Sequence, residues 1–329
     1  MQGTPCFLLH PVLSVQSKPA VFLNAYTLAT LNPRLCATAA ARRNPDDYNA
    51  TIEALNSRDR KPRKSLGQHY MVNPEVNKKL SEAADVQEGD LVLEIGPGTG
   101  SLTNVLIGDG ALVLAIEKDP HMAAIVEERF TNSDNLKVIQ EDFVRCNIRS
   151  HIQILNNGNA RSKKAKVVSN IPFNISTEVV KQLLPMSDIF SEVVLLLQDE
   201  MALRLEESSP NSDYRAINVF VHFYSEPEFK FWVPRSDFFP QPSVDAAVMS
   251  FKLKKNEDYP TVTSTKSFFS MVNSAFNGKR KMLRRSLQHI CSPLKVEEAL
   301  TNLGLPVTSR PEELSLDDFV FLHNKIVKP

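Results

Sequence analysis

Apolar positions in this chain cluster in short continuous runs, and the stretches between them are amphipathic. From Asp90 the alternation is regular. Leu91–Ile95 predicts a strand, a helix follows from about Leu102, and Leu112–Ile116 predicts a second strand. Asp119 as cap and Pro120 at the first helical position open a helix that runs to Phe130. Leu136–Ile139, Lys166–Ser169 and Glu192–Leu197 read as three further strands. Strands alternating with helices imply a parallel sheet covered on both faces. The unbroken run from Val193 to Leu197 suits a strand buried on both sides. Ile217–Phe223 and Val244–Leu253, separated by a loop, read as an antiparallel pair at one edge and bring the sheet to seven strands. Beyond about Asn256 the strand signals stop. The pattern therefore predicts an α/β fold with a mostly parallel, Rossmann-like sheet over residues 58–255. A small all-α domain over residues 256–329 follows it. In that tail Phe276, Leu283, Leu287 and Ile290 recur at helical spacing as one apolar stripe, with Lys281, Arg284, Arg285 and Gln288 opposite.

The first 57 residues depart from this pattern. No Asp or Glu precedes Asp46, while Lys18, Arg34, Arg42 and Arg43 are scattered among Ser, Thr, Ala and Leu. An acid-free, hydroxylated, weakly basic start is the profile of an organelle transit peptide, so residues 1–57 are expected to be a transit peptide and a disordered N-terminal segment. Chloroplast and mitochondrion both remain open on composition. Without residues 1–45, 34 basic residues stand against 38 acidic ones, a net charge of −4. A nucleic-acid site then has to come from local clusters, at residues 58–64, 161–166 and 279–285. Cys146 and Cys291 lie far apart with no CxxC and no His at ligand spacing, which argues against a zinc site. No apolar run reaches the roughly 18 to 20 residues that span a bilayer.

The first strand of the alternating region runs into Glu94-Ile95-Gly96-Pro97-Gly98-Thr99-Gly100. Glycines at the carboxyl end of a parallel strand let the backbone turn tightly and approach a ligand closely. The second strand leads to Glu117, where a carboxylate can take both hydroxyls of a ribose. The third leads to Asp142, where a carboxylate can accept from an adenine amino group. A dinucleotide dehydrogenase shares the first two features. Its GxGxxG spacing, however, requires glycine where Ser101 stands, so a phosphate-free ligand such as S-adenosyl-L-methionine fits better.

The fourth strand ends on Asn170-Ile171-Pro172-Phe173, facing the place of that cofactor's methyl group. An exocyclic adenine amine is a poor nucleophile because its lone pair is delocalised into the ring. The Asn170 side-chain oxygen and the Pro172 carbonyl can accept its two N–H groups and favour a tetrahedral nitrogen. Phe173 offers a flat surface for the base, and such stacking is worth about 1–3 kcal/mol. Chemistry of this kind rests on positioning and oriented dipoles.

Together, Gly67–Met71, residues 93–103, 115–119, 140–143, 170–176, 238–248 and 275–287 resemble the ribosomal RNA adenine dimethyltransferase family, over roughly residues 58–325. The resemblance implies a class I S-adenosyl-L-methionine-dependent methyltransferase that dimethylates N6 of two adjacent adenosines near the 3′ end of small-subunit rRNA. With the acid-free N-terminus it implies the plant chloroplast branch. It places Gln68, His69 and Met71 over the cofactor's methionine end, Gly96 and Gly98 along the cofactor, and Glu117 and Asp142 on its ribose and adenine. It puts Asn170, Pro172 and Phe173 on the target amine, with Asn170 also beside the cofactor, and Phe238 on the other face of a flipped base. The implied partner is small-subunit rRNA or a pre-30S particle, bound through the C-terminal helices by a monomer, with no metal and no membrane. Two departures stand out: Phe173 where tyrosine is commoner, and Ser243 where lysine is often found. A competing reading is a non-catalytic mitochondrial transcription or ribosome-assembly factor on the same fold. That reading would call for decayed cofactor and amine residues, and these are intact.

Overall fold

The structure is a computed structural model that describes residues 45–56, 61–63, 66–156, 164–208, 210–211, 213–278 and 281–327. Helix α1 (Pro45–Asn56) precedes the short strand β1 (Tyr70–Met71) and helix α2 (Pro74–Ala83). The alternating region then supplies β2 (Leu91–Ile95), α3 (Ser101–Gly108), β3 (Leu112–Glu117), α4 (Pro120–Arg129), β4 (Leu136–Gln140) and α5 (Ile148–Asn156). It continues through β5 (Ala165–Asn170), α6 (Ser176–Leu183), β6 (Phe190–Gln198), α7 (Asp199–Glu206) and α8 (Ala216–Tyr224). Next come β7 (Ser225–Val233), β8 (Phe238–Phe239) and β9 (Ala246–Leu253). The chain closes with α9 (Thr265–Phe276), α10 (Leu283–Ser286), α11 (Pro293–Asn302) and α12 (Leu316–Ile326).

Seven strands form one sheet in the order β4-β3-β2-β5-β6-β9-β7. The first five are parallel, β9 runs antiparallel to β6, and β7 runs antiparallel to β9. From β2 the chain winds outward through β3 to β4, then returns to the other side of β2 with β5. The strand order thus reverses between β2 and β5, and a crevice opens there at their carboxyl ends, where open α/β sheets bind ligands. Odd and even positions of β2 face opposite layers. Leu93 and Ile95 join one buried apolar cluster, and Val92 joins another with Val76 and Leu80 of α2 and Leu102 and Leu106 of α3.

Three expectations fail, each for an identifiable reason. Ile217–Phe223 is not a strand but lies within helix α8, and the edge partner of β9 is β7. The α8 run is apolar nearly all round and carries no readable period, while β7 holds Pro227 among Glu226, Glu228 and Lys230, a mixture that suits only an edge strand. The stripe from Phe276 to Ile290 is not one helix. It breaks after Asn277-Gly278, and only Leu283–Ser286 resumes helical form before Leu287 is buried. Finally, α1 falls inside the segment expected to lack structure. Thr51 and Leu55, one turn apart on the same face, are buried.

The described residues, from 45 to 327, fall within one compact unit. The C-terminal helices bury Phe268, Met271, Leu283 and Phe319 in the same apolar cluster as Phe223 and Phe251. Among the described residues no helix is long and apolar enough to cross a membrane.

Candidate active site

The crevice at the β2–β5 reversal is a single cleft bounded by the β2–α3 loop, the ends of β3 and β4, the Asn170–Ile175 turn and the Leu66–Met71 segment. Gly96, Gly98 and Gly100 all have positive φ, +67°, +59° and +82°. The Gly96 N–H donates to the Ile116 carbonyl at 2.9 Å, which ties the loop to β3. Gly98 is required twice over. Its φ is left-handed, and a Cβ there would stand 3.0 Å from the Tyr70 ring.

Two carboxylates are buried in the floor. Glu117 is 7% exposed, and one of its oxygens accepts from the Asp119 N–H at 2.8 Å. Burial pushes its carboxyl up from the ordinary range, although backbone N–H groups of Asp119 and Gly98 pull the other way. A side chain so placed at the end of β3 is fitted to take donors such as ribose hydroxyls. Glu94 is 2% exposed and accepts from the Thr103 hydroxyl at 2.6 Å; burial pushes its carboxyl to about 8. Asp142, at the end of β4, is more open. The Lys118 ammonium at 2.9 Å holds its carboxyl below the usual range.

At the other end of the cleft the Asn170 amide nitrogen donates to the His69 carbonyl at 3.4 Å, which leaves its oxygen as the free acceptor. The Pro172 carbonyl already accepts from the Ile175 N–H at 3.2 Å, closing a short 3-10 turn, so one of its two lone pairs remains. Phe173 stacks on His69 with centroids 6.0 Å apart and planes at 27°. His69 Nδ1 lies 2.7 Å from the Pro240 carbonyl. A carbonyl only accepts, so that nitrogen carries the proton.

The remaining residues of the expected set form the roof. Gln68 accepts from the Arg63 N–H at 2.9 Å, and Met71 is buried. Tyr70 and Met71 pair with Phe239 and Phe238, so β1 and β8 make a small antiparallel ribbon over the cleft. Below it, Asn73 donates to Asp237 at 2.9 Å. Phe238 is the outlier of the set. It is 2% exposed, lies edge-on to Phe173 at 6.4 Å and 68°, and presents no free face to a base in this arrangement. Motif reading missed Glu94, Thr103, Tyr70 and Thr99. Glu94 had a signal, a lone charge inside a fully apolar strand.

The basic clusters are only partly placed. Residues 58–60 and 64, 161–163, and 279–280 lie outside the described residues. Lys281 and Arg285 are exposed, whereas Arg284 is paired with Glu297 at 2.6 Å. Among the described residues no group of three or more His, Cys, Asp or Glu side chains is arranged to hold a metal ion.

The chain is 63% identical over 317 residues to a chloroplastic ribosomal RNA small subunit methyltransferase of Arabidopsis thaliana, covering 95% of this chain and 92% of the relative. It is 35% identical over 265 residues to ribosomal RNA small subunit methyltransferase A of Protochlamydia amoebophila, covering 80% and 91%. The fold matches the crystal structures of the 23S rRNA methyltransferase ErmE and of a dimethyladenosine transferase from Plasmodium falciparum, each with a TM-score of 0.58. Identities are 23% and 24%, with 78% and 77% of this chain and 99% and 95% of theirs covered. Residues 59–326 match the ribosomal RNA adenine dimethylase model, and the chain belongs to that family.

Proposed function

We propose that this chain dimethylates N6 of two adjacent adenosines near the 3′ end of small-subunit rRNA, with S-adenosyl-L-methionine as donor, in ribosome biogenesis in the chloroplast stroma. The observation that carries the reading is the juxtaposition at one sheet reversal. The glycine loop with Glu117 stands on one side of the cleft, and Asn170-Pro172-Phe173 stands on the other. When bound, the cofactor supplies an electrophilic methyl group on a sulfonium.

The protein's own residues account for the rest. Gly96 and Gly98 admit the cofactor close to backbone, Glu117 takes its ribose, and Asp142 meets its adenine. Gln68, His69 and Met71 roof its methionine end. Asn170, oriented by the His69 carbonyl, accepts one amine N–H, and the remaining Pro172 lone pair accepts the other. Phe173, backed by His69 and Phe238, carries the base on its open face. Each transfer forms an N6–C bond, breaks the S–CH3 bond and releases one amine proton to water. Because Phe238 is enclosed, it serves in this arrangement as a brace for Phe173.

The segment between α9 and α10 offers Lys281, and α10 offers Arg285, as phosphate contacts for rRNA or a pre-30S particle, reached by a monomer. The chloroplastic name of the Arabidopsis relative supports the plastid over the mitochondrion. A test uses labelled S-adenosyl-L-methionine and small ribosomal subunits lacking the modification. Mass spectrometry of the RNA should find N6,N6-dimethyladenosine at two neighbouring 3′-end positions. Particles that bind the protein but take up no label would favour the assembly-factor reading.

A further inference from the structure

Helix α1 lies outside the stretch that matches the family, which starts at residue 59, yet it touches three elements that surround the cleft. The Thr51 hydroxyl, 1% exposed, lies 3.5 Å from the hydroxyl of Thr99 in the glycine loop. Thr99 is held on its other sides by Arg129, which donates to its carbonyl at 2.8 Å, and by the Ser101 hydroxyl at 3.4 Å. One turn further along α1, Leu55 is 3% exposed in a small apolar cluster of its own with Tyr70, Met122 and Ile125. Tyr70 is the residue whose ring closes on Gly98. At the start of the helix Tyr48 meets Phe239 of β8 edge-on, 5.7 Å apart at 87°.

We infer that α1 is a positioning element for the cofactor site: it clamps the glycine loop and the β1–β8 roof against each other from outside. The inference rests on the cofactor reading given above. Its logic is mechanical. A two-stranded ribbon with two residue pairs is too small to hold itself. Leu55 packs in the same small cluster as the Tyr70 ring, whose hydroxyl donates to the Met122 sulfur at 3.7 Å, and so adds to what keeps that ring over Gly98. Thr51 meanwhile fixes the loop residue next to Gly98. Without α1, the ribbon and the loop lose their shared backing, and the ordering of both has to be supplied when cofactor binds. That cost appears as weaker binding with the reacting groups themselves unchanged. The 317-residue match to the Arabidopsis relative covers 95% of this chain and is long enough to take in residues 45–56. Processing that removes the acid-free N-terminus therefore has to stop before Pro45 for the site to be complete.

The test compares the full chain with four variants: Leu55→Ala, Thr51→Val, Thr51→Ser and a deletion of residues 1–56. S-adenosylhomocysteine affinity is measured by calorimetry, and kcat and cofactor KM are measured on small subunits. Leu55→Ala and the deletion should each raise the cofactor Kd and KM about tenfold, a change of about 1.4 kcal/mol. The kcat at saturating cofactor and the KM for subunits should stay close to those of the full chain. Thr51→Val should shift the Kd less, and Thr51→Ser should restore it, a rescue that a general loss of packing would not give. A deletion variant that binds cofactor like the full chain overturns the proposal. A full chain that takes up no cofactor overturns the methyl-donor reading and this one together.

Discussion

The two ends of the cleft are built by different means. The cofactor end is backbone and buried charge: positive-φ glycines, Glu117 anchored by main-chain N–H groups, and Glu94 sealed under Thr103. The base end is half-exposed side chain: Asn170 steered by one carbonyl, Pro172 with one lone pair left, and Phe173 leaning on His69 and Phe238. The difference follows from the partners. A small cofactor of fixed shape rewards a rigid mould, whereas a base that leaves an RNA stack needs an open face and a few well-aimed acceptors. If so, substitutions at one end should leave the other nearly untouched.

The largest separation is expected from Asn170→Ala. Losing an aimed acceptor in a positioning-driven reaction should lower kcat about 100-fold or more, by analogy with the loss of one transition-state hydrogen bond. Glu117→Ala should do the reverse. It removes a charged acceptor worth roughly 1.5–3 kcal/mol, so the cofactor Kd measured by calorimetry should rise about 10- to 100-fold. Gly98→Ala forces a methyl toward the Tyr70 ring at a left-handed position. Such strain costs on the order of 1–3 kcal/mol, visible as a lower Tm and weaker cofactor binding with an unchanged KM for RNA.

Glu94 sharpens the contrast through pH. Its proton is held to about 8 in the fold against an ordinary value of 4.5, so folding takes up a proton between those values. The stabilising share is complete below the ordinary value and is lost as pH rises through about 8. The Tm of the cofactor-free chain should therefore fall from mildly acidic to mildly alkaline buffer, and Glu94→Gln should flatten that part of the curve. The smallest effect belongs to Phe173→Tyr, which keeps the ring and adds a hydroxyl. Its kcat should stay within about twofold, while Phe173→Ala should lose the roughly 1–3 kcal/mol of stacking as a higher KM for RNA.

The same two ends explain what the sequence could and could not disclose. Gly96, Glu117, Asp142 and Asn170 can be brought to one cleft from the sequence because each sits at or just past the carboxyl end of a parallel strand, and such strand ends converge by topology. The enclosure of Phe238 was not legible. It depends on the β1–β8 ribbon, a pairing of two-residue strands some 170 positions apart that no periodicity records. The α8 run hid its period because nearly every position faces apolar neighbours, and β7 hid behind its charges and Pro227. Helix α1 was masked by the composition of the chain before it. Its signal, Thr51 and Leu55 one turn apart after Pro45, is slight without knowledge of the surface that they meet.

One measurement tests the central claim of separable ends most directly: the cofactor affinity of Asn170→Ala, by calorimetry with S-adenosylhomocysteine. The account predicts a Kd within about threefold of the parent, since only one weak hydrogen bond near the cofactor is disturbed, even as methyl transfer collapses. A Kd that rises in step with the loss of kcat would show that Asn170 works mainly as a cofactor ligand, and the division of the cleft into two ends would fall.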